Sequence, residues 1–143
     1  MRIGVVVSRF NQNITQGLLD GAMTILIKRG VILQSNDVVW VPGAFELPAA
    51  VLAMAQSKKY NAVIALGCVL KGETLHNQYI AEAAAQGLMQ VIIKTGVPVA
   101  FGVLTPNTLA QAKARSGKGT ANKGVEAAEA ALEMASLLKI LEG

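Results

Sequence analysis

The 143-residue chain has one cysteine, one histidine and few charges, and each shortage closes off a class of function. Cys68 stands alone, so neither a disulfide framework nor a thiolate metal cluster can form. His76 is the only histidine, and with one cysteine beside it in the inventory a catalytic metal site lacks ligands. Charged residues make up 15% of the chain and hydrophobic ones 52%, which is little surface charge for a small monomer. Apolar surface is therefore expected to stay outside the core and to be covered in a homo-oligomer. The formal charge of +4 comes from lysines and arginines that are scattered apart from one cluster near residues 113–123. A nucleic-acid surface would need a basic stripe with aromatics to stack bases, and none is present. Uncharged apolar runs stop well short of ~18 residues, so no segment is expected to span a membrane. The chain enters a strand at once with no signal peptide read before it, and the expectation is a cytoplasmic protein. Neither G-x-G-x-x-G after the first strand nor G-x-x-x-x-G-K-[ST] occurs, which removes the dinucleotide and P-loop readings. A receiver-like site would want acidic residues after the first strand, and SRFNQN has none.

What is present is an alternation. Ile3 to Val7 is an apolar run ending in the polar turn SRFNQN. Ile14, Leu18, Ala22 and Ile25 then mark one helical face, and Leu19, Met23 and Leu26 a second, so this helix is expected to contact more than its own sheet. Gly30 ends it. Val38 to Val41 reads as a second strand with VPGAFELP as its outgoing loop, and Pro48 suits the first turn of a helix continuing through Lys58. NAVIAL is a third strand, followed by GCVLKGETLHNQY and a long helix closed by Gly96. Val97 to Leu104 is a fourth strand. A short helix with Thr105 or Asn107 as its cap follows, then the basic loop GKGTANKG and a terminal helix over Val125 to Leu141. No repeat or linker interrupts residues 1–143, which read as one domain. Strands alternating with helices predict a parallel sheet covered on both faces, with ligands at the carboxyl ends of its strands.

Those ends carry the chemistry. Gly72 suits a tight turn, and Glu73 and Thr74 would open the long helix, whose unpaired N–H groups make a seat for phosphate or carboxylate. His76 beside that seat is either a general acid or base or a residue completing the helix's first turn, and spacing alone does not separate the two. Phe10 lies between polar residues with little core to enter, which favours stacking on a planar ligand over plugging the sheet edge. Phe45, at a helix entry, is expected in the core, and Glu46 either accepts ligand hydroxyls or caps the helix. Arg115 and Lys123 flank the glycine-rich loop and could neutralise a phosphate or form a solvated basic face.

The segments SRFN, VPGAFELP, GCVLKGETLH, FGVLT and AKARSG followed by NKGVEAAEAALEM resemble the lumazine synthase family, in its order and spacing, from about Ile3 to the carboxyl terminus. The resemblance implies a flavodoxin-like α/β fold, a three-layer αβα sandwich around a four-stranded parallel sheet, assembled as a pentamer with sites between subunits. It implies the penultimate step of riboflavin biosynthesis: 5-amino-6-ribitylaminopyrimidinedione condenses with 3,4-dihydroxy-2-butanone 4-phosphate, without metal or organic cofactor, to give 6,7-dimethyl-8-ribityllumazine. Carried over by motif, Phe10 would stack on the pyrimidine, with Ser8 and Asn11 beside it. Ala44, Phe45 and Glu46 would hold the ribityl chain, and Val69 would offer main-chain hydrogen bonds to the ring edge. Gly72, Glu73 and Thr74 would bind the phosphate, joined by Arg115 from a neighbouring subunit, with Phe101 closing the ring pocket and Lys123 near it. His76 would transfer protons. Riboflavin synthase is a further candidate partner.

Two departures accompany the resemblance. Asn77 and Gln78 stand where the family usually has an aromatic and an aspartate, so His76 lacks a carboxylate two residues on. The first strand also begins almost at Met1, without the preceding segment that pairs with a neighbour's sheet in shell-forming members. That favours a free pentamer over a shell of twelve pentamers. A non-catalytic lumazine- or flavin-binding relative is the alternative from another class, and retention of Glu46, Thr74, His76, Arg115 and Lys123 speaks against it.

Overall fold

The computed structural model describes residues 1–71 and 75–143. Four parallel strands form one sheet in the order β2-β1-β3-β4: β1 (Ile3–Ser8), β2 (Val38–Val41), β3 (Ala62–Cys68) and β4 (Val99–Leu104). Val5 pairs with Val38 on one side and Ile64 on the other. Both central strands are buried along their whole length, as expected where helices cover both faces.

The side-chain alternation of the strands divides the core in two. Val5, Val7, Ile64 and Leu66 face α1 (Gln12–Lys28) and α5 (Lys123–Glu142), whose Leu18, Leu26, Ala128 and Ala131 fill that side. Val6, Val63 and Ala65 face α2 (Leu47–Gln56) and α3 (Leu75–Thr95) through Leu47, Val51, Leu88 and Val91. The result is the expected three-layer αβα sandwich. The second apolar stripe of α1 is met within the chain, because Leu19 and Leu26 enter the same core as the alanines of α5. Large apolar side chains nonetheless remain outside, among them Ile27, Ile32, Ile93 and Ile140.

Boundaries follow local chemistry. Gly30 takes a left-handed φ of 81° just past α1, and the Val31 N–H returns to Leu26 O. Helix α2 stops at Gln56 rather than continuing to Lys58, which itself turns left-handed. The fourth strand starts at Val99, two residues later than its apolar run, since Pro98 precedes it without an N–H to pair. The short helix α4 (Leu109–Ala114) is capped by Thr108, not by Thr105 or Asn107; Thr108 Oγ1 accepts from Gln111 N at 3.2 Å. Helix α5 begins at Lys123, two residues before the expected Val125, because Asn122 caps it with its own side chain. A loop reading of GKGTANKG was therefore too long by its last two residues.

Candidate active site

In the order β2-β1-β3-β4 the chain leaves β1 toward one face and β3 toward the other, so their carboxyl ends form the switch point where such sheets bind ligands. Ser8 ends β1 and is fully buried there. Pairing with the β2 side continues past the strand: Arg9 N–H donates to Val41 O at 2.7 Å and Phe10 N–H to Pro42 O at 3.0 Å. Phe10 is thus fixed by its backbone while its ring is 71% exposed. Asn11 then takes a left-handed conformation, φ 61° and ψ 47°, which asparagine tolerates better than most residues. At the N-cap of α1 its side chain makes no cap bond; Nδ2 instead donates to Cys68 O at the end of β3, at 3.1 Å. One strained residue therefore ties the ends of β1 and β3 together.

After β2 the chain makes a single 3-10 turn, Ala44–Glu46, before α2. Ala44 and Leu47 point into the core, and the turn sends Phe45 between them outward to 63% exposure. The expectation that Phe45 belongs to the core is therefore overturned. Glu46 precedes α2 without a side-chain cap bond, so the capping role is not taken up and its half-buried carboxylate remains available to a ligand.

At the end of β3, Val69 is buried and its N–H donates to Leu104 O at 2.8 Å. What Val69 can present to a ring edge is then its carbonyl rather than its N–H. Gly72, Glu73 and Thr74, the expected phosphate seat, lie outside the described residues. His76 is exposed in the first turn of α3. Asn77 Nδ2 donates to Leu70 O at 2.8 Å, pinning this turn back to the end of β3, while Gln78 reaches Glu82 at 3.4 Å.

The remaining predicted residues lie together elsewhere. A cleft of about 430 Å³ at the end of β4 is lined by Phe101, Thr105, Arg115, Lys123 and Glu126 among others. Its lining includes none of Phe10, Phe45, Glu46 or His76. Lys123 Nζ meets Glu126 at 3.1 Å, and among the described residues Arg115 has no salt bridge. Phe101 is 41% exposed, an aromatic left uncovered on an edge strand. Thr105 in the cleft lining, and Asn122, which precedes Lys123 without itself lining the cleft, were not anticipated as site residues. Thr105 carries no distinguishing signal, whereas asparagine just before a helical pattern is a start signal that glycine-rich surroundings obscured. Among the described residues, no group of three or more His, Cys, Asp or Glu side chains could hold a metal ion.

The fold is a parallel α/β sandwich with polar and aromatic residues at the carboxyl ends of its strands. The family model of 6,7-dimethyl-8-ribityllumazine synthase matches residues 1–139, and the chain belongs to that family.

Proposed function

We propose that the chain condenses 5-amino-6-ribitylaminopyrimidinedione with 3,4-dihydroxy-2-butanone 4-phosphate, forming 6,7-dimethyl-8-ribityllumazine and releasing phosphate and water. The observation that carries this reading is the convergence of exposed Phe10, exposed Phe45, half-buried Glu46 and exposed His76 on the carboxyl ends of the sheet, in a chain of this family. Phe10 offers a ring face to the pyrimidine, Asn11 and Ser8 flank it, and Ala44, Phe45 and Glu46 hold the ribityl chain, Glu46 accepting its hydroxyls. The Val69 carbonyl accepts from the pyrimidine edge.

The amino nitrogen of the pyrimidine attacks the ketone carbon, and water leaves as an imine forms. Loss of a proton beside the imine expels phosphate, the resulting enol becomes a ketone, and the ribityl-bearing nitrogen closes the ring with loss of a second water. His76 carries protons through these steps, and holding both reactants together supplies much of the rate. Gly72, Glu73 and Thr74 take the phosphate, with Arg115, Lys123 and Phe101 contributed by a neighbouring subunit of a pentamer. That sharing agrees with a cleft at β4 lined by none of the β1–β3 aromatics.

Mixing the two substrates tests the reading. Phosphate release with growth of lumazine absorbance is expected; ligand retention without phosphate release would make the chain a binding protein instead.

A further inference from the structure

Asn122 is a buried amide at the end of an exposed loop, with 3% of its surface accessible while residues 117–121 are exposed. Its side chain bonds in four directions. Oδ1 accepts from Gly124 N at 2.7 Å and Val125 N at 3.2 Å, which caps α5. Nδ2 donates to Gly17 O of α1 at 3.0 Å and to Gly117 O at 2.8 Å. A cap needs only the two accepting bonds. The two donating bonds do something else: they tie the start of the loop and the middle of α1 to one point.

The contact requires small residues on α1. A methyl group at Gly21 would overlap the Asn122 amide, and one at Gly17 would overlap Ser116 O. The tie ends on two cations. Lys123 follows Asn122 directly, and its N–H donates to Arg115 O at 2.8 Å, closing the loop between the two residues that line the β4 cleft. The backbone position of Arg115, an exposed residue, bounds where its guanidinium can reach.

We infer that Asn122 is a positioning residue for anion binding: its amide sets where Arg115 and Lys123 stand relative to each other, and so how phosphate is gripped. This rests on reading the β4 cleft as the phosphate half of the proposed site. Asn122→Ser separates the two roles, because serine is a good helix cap but cannot reach Gly17 O and Gly117 O together. In steady-state kinetics the serine variant should raise the apparent KM for the butanone phosphate about tenfold while moving the pyrimidine KM less than about twofold. Its affinity for inorganic phosphate, measured by titration, should fall by a similar factor, with sedimentation close to the parent and a melting temperature lowered by less than that of Asn122→Ala. Asn122→Ala should repeat the phosphate defect and also melt earlier. A serine variant with parental phosphate affinity, an equal loss for both substrates, or a serine variant that does not fold would each overturn the inference. If the parent protein makes no lumazine, the enzymatic reading fails by itself and the phosphate titration still decides: equal affinities in parent and serine variant, or no phosphate binding by the parent, would sink the positioning role.

Discussion

Cys68 and His76 sit at the same end of the sheet and face opposite environments. Burial pushes the Cys68 thiol up to about 11, so at pH 8 only about one part in a thousand is thiolate. A colourless disulfide reagent that releases a chromophore should therefore leave the native protein unlabelled at pH 8 and count one thiol once guanidinium unfolds it. Fast labelling of the native protein would contradict the burial of Cys68. His76 is exposed, and its contribution is expected to be chemical. His76→Ala should lower kcat by about 10²–10⁴ without abolishing it, since positioning of the substrates survives the loss of one acid–base group. Unchanged turnover would leave His76 as a first-turn residue only. Phe10 was legible beforehand because a ring amid polar turn residues has no core to enter. Phe45 was not, because its outward direction depends on a 3-10 turn that places Ala44 and Leu47 inward on either side of it.

Strands and helices were largely legible because their apolar periods are long and unbroken, and the misses fall where side chains decide the ends. Thr108 and Asn122 capture the starts of α4 and α5 through their own oxygens, which no apolar pattern reports. One further side-chain clasp was invisible for a different reason: its members are far apart in sequence. Asp37, just before β2, accepts from Arg2 before β1 at 2.6 Å, from Tyr60 before β3 at 2.8 Å, and from Gln34 N at 2.9 Å. Arg2 also lies over the Tyr60 ring, 5.3 Å from its centroid. Burial would raise the Asp37 carboxyl, but the Gln34 N–H together with Arg2 and Tyr60 outweighs it and holds the group below its ordinary 3.8. The folded state therefore binds this proton less readily than the unfolded chain does. The stabilisation is complete above the unfolded carboxyl range and is lost as pH falls through the lower folded value. For Tyr60, burial and then Asp37 raise the phenol above 10.0, so its contribution is lost at the alkaline end as pH rises through the folded value. Asp37→Ala should cost about 2 kcal/mol in urea melts at neutral pH and fixed protein concentration. It should also flatten the stability loss below pH 4; an unaltered acid slope would mean the clasp does not hold the amino edge of the sheet.

At the scale of the whole molecule, the predicted site residues fall into two groups on one chain. Ser8, Phe10, Asn11, Phe45, Glu46 and His76 follow β1, β2 and β3, while Phe101, Arg115 and Lys123 line the cleft at β4. Spacing along the chain could not reveal that division, because AKARSG and GETLH look equally close to the sheet when only their sequence order is known. The division makes a sharp prediction about assembly. If each site is completed by a neighbour in a ring, two variants damaged in different halves can complement each other. His76→Ala spoils the first group and leaves the second intact; Arg115→Ala does the reverse, removing a paired grip on phosphate that alanine cannot supply. Unfolded together in equal amounts and refolded, they should form mixed rings. A site works when an Arg115→Ala subunit supplies His76 and its neighbour, a His76→Ala subunit, supplies Arg115. Random mixing gives that arrangement at about one site in four. Activity of the mixture, assayed at low butanone phosphate, should rise to about a quarter of the parental value, far above either variant alone. If both groups serve a site within one chain, no mixture contains an intact site, and activity stays at the average of the two variants. Sedimentation of the refolded mixture must show the same assembly as the parent for the comparison to count. A mixture with parental sedimentation and no gain in activity would end the shared-site proposal while leaving the family assignment untouched.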